Sequence, residues 1–225
     1  MITKVYMMPG MAANPSIFER IVLPPNDFEV IWLSWIIPLK NESLENYAKR
    51  MCSDVEKQKP IVLIGVSFGG ILVQEMSHFL RIKRLIIVSS VKTHQELPPR
   101  LKLARDTGVY KIFPSGLINY ITQIEKLPVG NGIRKRLKLY KEYLSVNDKA
   151  YIDWSIKQFL SWKQYNPISD IIHIHGEEDA VFPIKNIDHC IKIPKGTHIM
   201  ILNKYKWFNE NLPRLITQNH IKLTT

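Results

Sequence analysis

Cysteine is scarce: the 225 residues hold 2, Cys52 and Cys190. One falls in a helix-like segment and the other in a strand-like one. They make no disulfide framework and suit reduced thiols in a core. Long apolar runs are missing as well. No stretch of eighteen or more uncharged apolar residues occurs, so no membrane-spanning helix is expected. The opening stretch, Met1 to Gly10, goes straight into a strand-like run. It has no basic region, apolar region and small-residue cleavage site of a signal peptide. A cytoplasmic location is the expectation, and there the formal sequon Asn41-Glu42-Ser43 is inert. Neither G-x-x-x-x-G-K-S/T nor G-x-G-x-x-G occurs, which leaves nucleotide phosphate binding without support. Internal repeats and low-complexity tracts are absent too.

Acidic residues are outnumbered, 20 against 31 Lys and Arg, for a formal net charge of +11. Such an excess invites nucleic acid or an anionic membrane as partner. The basic residues are nevertheless spread over the whole chain. The densest run is Arg134, Lys135, Arg136, Lys138 and Lys141, and it alternates with Ile133, Leu137, Tyr140 and Leu144. That is one apolar stripe of a helix with a solvated, charged back. No nucleic-acid partner is expected.

What the chain does have is 45% hydrophobic residues, ordinary for one globular domain. Val5 to Met8 reads as a strand ending at Pro9-Gly10, and Ser16 to Val22 as a short helix stopped by Pro24-Pro25. Val30 to Trp35 reads as a second strand. Leu44, Tyr47, Ala48, Met51, Cys52 and Val55 form an amphipathic helix with Asn41 or Ser43 as its N-cap. Ile61 to Val66 is a continuous apolar strand, followed by an apolar helix from Ile71 to Leu80. Leu85–Val88, Ile171–Ile174 and Cys190–Ile193 are further strands. A last helix runs from about Lys204 to Asn219, with a bend at Pro213. Strands alternating with helices predict a parallel sheet with right-handed crossovers. Residues 94–165 break the alternation with helical periods only: Ile118, Ile121 and Ile124; Ile133 to Leu144; Ile152, Ile156, Phe159 and Leu160. They read as a helical insertion over a core made of residues 1–93 and 166–225.

The sharpest local signal is Gly65-Val66-Ser67-Phe68-Gly69, a G-x-S-x-G sequence between a buried strand and a buried helix. A serine on so tight a turn sits in strained backbone, and side chains two residues either side of it would collide. Its hydroxyl then lies at the positive end of the following helix. A serine is a poor nucleophile unless a base takes its proton. His198, after the last strand, is at the right end of the sheet. The base needs a buried acid. Asp179 follows the preceding strand, with Glu177 and Glu178 as nearby competitors. An oxyanion hole needs two converging backbone N–H groups. Phe68, after the nucleophile, supplies one, and Met11, in the loop after the first strand, the other. Gly10 before it lets backbone approach the substrate oxygen.

In this arrangement the sequence resembles the α/β-hydrolase superfamily, in its small-esterase or lipase-like part. The Pro9-Gly10 turn, the Ser67 elbow, the Asp179 loop and His198 follow the family's order over most of the chain. The resemblance implies an α/β fold with a predominantly parallel sheet, helices on both faces, a helical cap inserted after the strand near residue 90, and acyl-ester chemistry on a small-molecule substrate without cofactor. Relative to the family the fold is shortened at its N-terminus, Pro9-Gly10 replaces the usual His-Gly, and the acid loop between Pro183 and Cys190 is compressed. C–C hydrolysis, acyl transfer, lyase chemistry and a non-catalytic binding role are the alternatives on this scaffold. Phe182 beside the acid, and Trp154 among the insertion's Tyr151, Phe159 and Trp162, are candidates for an apolar substrate wall. Their alternative role is to seat the insertion on the core. His173-Ile174-His175 with Asp179 has a metal-like spacing, but further ligands are not evident and no metal is expected.

Overall fold

The computed structural model describes residues 2–107 and 143–218. Six apolar runs form one sheet: β1 (Thr3–Met8), β2 (Phe28–Trp32), β3 (Ile61–Val66), β4 (Ile82–Val88), β5 (Ile172–Gly176) and β6 (Ile191–Ile193). Its order is β2-β1-β3-β4-β5-β6, and every pairing is parallel. The chain builds outward from β1 to one edge, then crosses over to β3 and builds to the other. The turning point of the topology therefore lies between β1 and β3. A crevice opens at such a point beyond the carboxyl ends of the strands.

Alternation along the strands sends side chains to two cores. Tyr6, Met8, Leu63, Leu85 and Ile87 face one side. Against them pack α1 (Leu44–Met51), α2 (Phe68–Ser77) and α4 (Lys149–Ser161), and α3 (Pro99–Thr107) adds the partly buried Leu101. Val5, Met7, Val62, Ile64, Ile86, Val88 and Ile174 face the other side. There they meet Ile17 and Phe18, α5 (Met200–Asn203) and α6 (Tyr205–Thr217). Each fully buried Leu or Ile contributes about 1.5–3 kcal/mol relative to exposure, so a strand like β3, buried along its whole length, anchors both layers. No helix among the described residues is long and apolar enough to cross a membrane.

Several element boundaries differ from the sequence reading. The helix expected over Ser16 to Val22 is a single 3₁₀ turn, Pro15–Phe18, capped by Asn14. The second strand starts at Phe28 and stops at Trp32. Beyond it Leu33 N–H still bonds to the Met7 carbonyl at 2.9 Å, and Trp35 turns inward toward Gly10. Ser43, not Asn41, caps α1, its Oγ accepting from Asn46 N–H. The helix after Ser67 begins at once, at Phe68 rather than Ile71. The C-terminal helix is two helices, since Lys204 leaves helical geometry between them, and Pro213 lies within the second. Of the insertion's periods, Ile118 to Ile124 and most of Ile133 to Leu144, with the basic run Arg134 to Lys141, lie outside the described residues.

Candidate active site

Ser67 sits between the last residue of β3 and the first of α2, at φ 53° and ψ −121°. A non-glycine residue in that region is strained and persists only where its surroundings hold it. Here they do. Ser67 N–H bonds to the Val88 carbonyl at 3.0 Å. Its own carbonyl accepts from Gly70 N–H at 2.9 Å and from Ser90 Oγ at 2.7 Å. The flanking glycines make the turn possible: a Cβ on Gly65 would stand 2.3 Å from the Gly69 carbonyl oxygen, and one on Gly69 would stand 2.3 Å from that of Pro9. The hydroxyl is thus held at the head of α2, where the first N–H groups have no intrahelical acceptor.

His198 and Asp179 reach the same place from the loops after β6 and β5. Glu178 N–H to the Gly196 carbonyl, at 2.8 Å, and Glu177 N–H to the Ile193 carbonyl, at 3.2 Å, tie the two loops together. His198 Nε2 lies 3.0 Å from Ser67 Oγ. Its Nδ1 lies 2.9 Å from Asp179 Oδ2 and 3.2 Å from Oδ1. A carboxylate only accepts, so Nδ1 carries the proton and Nε2 presents its lone pair to the serine hydroxyl. Asp179 is 3% exposed. Its Oδ1 also accepts from the N–H groups of Val181 at 2.8 Å and Phe182 at 2.9 Å. Burial by itself would raise the Asp179 carboxyl; the bond and charge attraction to His198 and the Phe182 N–H outweigh it and hold the group below its ordinary 3.8. Glu177 and Glu178 are exposed, whereas Asp179 is buried.

The loop after β1 closes the site from the other side of the turning point. Gly10 is buried against the nucleophile, a Cβ there standing 3.4 Å from Ser67 Cβ. Met11, half-buried, and Ala12, at φ 62°, make the turn. The Gly10 carbonyl accepts from Ala13 N–H at 3.0 Å and from Trp35 Nε1 at 2.8 Å. Ala12 N–H bonds to Tyr151 Oη at 3.2 Å.

The aromatic candidates divide. Phe182 stands edge-on to His198, with centroids 5.3 Å apart. Trp154 lies in the core among Tyr47, Phe68 and Tyr151, and its Nε1–H bonds to the Glu42 carbonyl at 2.8 Å. Phe159 packs on Phe68 and Phe182, and Trp162 donates to Glu75 at 2.7 Å, so both seat the helix against α2. Trp35 and Tyr151, which touch the loop after β1, were not singled out for it from the sequence; contacts across 25 and 139 residues leave no local signal. His173 and His175 do share one face of β5, at 3.1 Å between rings, but His175 Nε2 is turned to the Phe182 carbonyl. Among the described residues no group of three or more His, Cys, Asp or Glu side chains is placed to hold a metal.

No protein-family model matches the sequence, and comparison with curated proteins gives no match. Solved structures do match. An esterase from Exiguobacterium antarcticum is 17% identical, with a TM-score of 0.69 over 96% of this chain and 92% of that one. An esterase from Thermogutta terrifontis is 14% identical, with a TM-score of 0.68 over 96% and 91%. The enol-lactonase from Burkholderia xenovorans is 13% identical, with a TM-score of 0.64 over 97% and 92%. Identities this low carry architecture and not reaction. The all-parallel sheet, its order and these likenesses over nearly the whole length agree on one answer: the chain has the α/β-hydrolase fold.

Proposed function

We propose that this protein is a serine hydrolase that cleaves a carboxylic ester or thioester through an acyl-enzyme. The observation that carries the reading is one continuous line of contacts, Ser67 Oγ to His198 Nε2 at 3.0 Å and His198 Nδ1 to Asp179 Oδ2 at 2.9 Å. Ser67 Oγ attacks the acyl carbon as its proton passes to His198 Nε2. Asp179 holds the ring in the required tautomer and stabilises the imidazolium. The carbonyl oxygen becomes an oxyanion, held by the N–H groups of Phe68 and Met11. Collapse breaks the bond to the leaving group, which takes the proton from His198 and departs. Water then attacks acyl-Ser67, giving its proton to His198. The second collapse returns that proton to Ser67 Oγ and releases the acid.

Two features support Met11 as the second donor. Ala12 and Ala13 spend their amides on Tyr151 Oη and the Gly10 carbonyl, which leaves Met11 N–H as the loop's donor toward substrate. Gly10, directly before it, lies against Ser67. Gly10 and Phe182 line the substrate side in this reading, and Trp154 backs the pocket from behind Phe68. Residues 94–165 form the cap, supported by α3 and α4, which lie between β4 and β5. The substrate is a small acyl compound, and the buried free thiols of Cys52 and Cys190 fit a cytoplasmic setting.

The test is turnover of p-nitrophenyl acetate and butyrate and of an acyl thioester. Turnover by the native protein, with an initial burst of one equivalent when deacylation is the slower step, and a loss of at least about a thousandfold in Ser67→Ala, is the expected outcome. Equal rates in the two proteins would refute it.

A further inference from the structure

The turn Gly10–Ala12 closes on one local bond, from Ala13 N–H to the Gly10 carbonyl at 3.0 Å, and leans on the rest of the chain for its other contacts. Ala12 lies in the left-handed region, at φ 62°, which a side chain disfavours. Contacts from distant parts of the chain keep it there. Both backbone polar groups of Ala12 end on α4 or the segment that leads into it: Ala12 N–H on Tyr151 Oη, in the first turn of α4, at 3.2 Å, and the Ala12 carbonyl on Val146 N–H, before the helix, at 3.0 Å. The Gly10 carbonyl is pinned by Trp35 Nε1–H at 2.8 Å. Trp35 also stacks on the ring of Phe68, with centroids 5.2 Å apart and planes 9° from parallel. It also lies against Tyr151, at 5.3 Å, and Tyr47, at 6.3 Å. The indole thus joins the residue after the nucleophile to the carbonyl just before Met11. Tyr151 is fully buried, and burial raises its phenol, so the hydroxyl stays neutral and its oxygen accepts the Ala12 amide.

We propose that Tyr151 and Trp35 are positioning residues that set the distance and direction between the N–H groups of Met11 and Phe68, so that α4 acts on the reaction through the loop after β1. This rests on the hydrolase reading above. Neither side chain touches the reacting atoms. Each holds a backbone segment whose N–H must meet an oxyanion that exists only transiently. Their loss should therefore appear in the transition state and not in substrate binding.

The experiment compares native protein, Tyr151→Phe and Trp35→Phe with p-nitrophenyl butyrate and with an alkyl trifluoromethyl ketone, which forms a tetrahedral oxyanion on an active serine. Trp162→Phe is the control. It removes a partly buried hydrogen bond from the residue capping the far end of α4, to Glu75, and stays clear of the loop. For Tyr151→Phe the expected result is kcat lower by about tenfold to a hundredfold, KM within twofold, and affinity for the ketone lower by the same factor as kcat. The acidic limb of the pH profile, which reports the triad, should not move. Trp35→Phe should behave alike and carries the test if Tyr151→Phe does not fold. Trp162→Phe should match the native protein. Native kcat and ketone affinity in folded Tyr151→Phe and Trp35→Phe would overturn this inference alone. A native protein that neither turns over ester nor binds the ketone would overturn the hydrolase reading with it.

Discussion

The imidazole of His175 donates through Nε2 to the carbonyl of Phe182 at 2.8 Å, and this bond fixes the tautomer of a buried histidine 3.6 Å from the carboxylate of Asp179. A carbonyl only accepts, so the proton is on Nε2 and Nδ1 is bare. Nδ1 then accepts from His173 Nε2, 3.1 Å away. Both rings are neutral in this arrangement. It also holds the main chain of Phe182, whose N–H supports Asp179 on the same turn.

That pair makes the fold sensitive to acid. Burial, then the neighbouring His175 and Lys92, pushes His173 well below its ordinary 6.5, and burial lowers His175 as well. With folded values below unfolded ones, stability is complete above pH 6.5 and falls as the pH drops through the folded values. The unfolded chain takes up protons that the folded one refuses. Each such proton costs about 1.4 kcal/mol per pH unit. Asp179, depressed from 3.8, adds a loss in the same direction at lower pH. Urea midpoints at pH 8, 6.5 and 5 should fall only below 6.5. His173→Gln, which keeps a donor toward His175, should flatten that fall. An identical slope in native and variant would contradict the assignment.

Three acids stand within one short loop, and only Asp179 is buried against His198. Asp179→Asn should lower kcat by about 10⁴-fold, because an amide lets the imidazole settle in the wrong tautomer. Glu177→Gln and Glu178→Gln should leave kcat and KM unchanged. Steady-state kinetics on the three variants decide it, and a large loss in either glutamate variant would move the acid's role.

The glycine at 69 offers a steric test. Gly69→Ala would drive a Cβ to 2.3 Å from the Pro9 carbonyl oxygen, where only main chain can give way. The expected cost is about 1–3 kcal/mol of stability, with ester turnover largely lost because Pro9 leads into the loop that carries Met11. Thermal melts and turnover measured together check it; a variant as stable and active as the native protein would contradict the packing described.

Much of this was legible along the chain because the signals are local. The run Ile61 to Val66, the glycines around Ser67 and the short loops to Asp179 and His198 each state their own geometry, and the fold follows from their alternation with helices. Contacts between segments far apart in sequence were not legible. Nothing near Trp35 points to Gly10, and nothing near Tyr151 points to Ala12; both depend on the sheet order, which periodicity does not encode. The short helix at Ser16 failed because Pro15 and a side-chain cap favour one tight turn, after which Pro24-Pro25 leave little room. Trp154 was readable as cleft or core, and its indole bond to Glu42 puts it in the core.

The central claim is that Ser67 is an activated nucleophile, and a fluorophosphonate probe read by intact mass tests it most directly. Native protein should gain a single adduct, mapping to Ser67, while Ser67→Ala and His198→Ala gain none. A folded native protein that stays unmodified, or an adduct that persists in Ser67→Ala, would contradict the account.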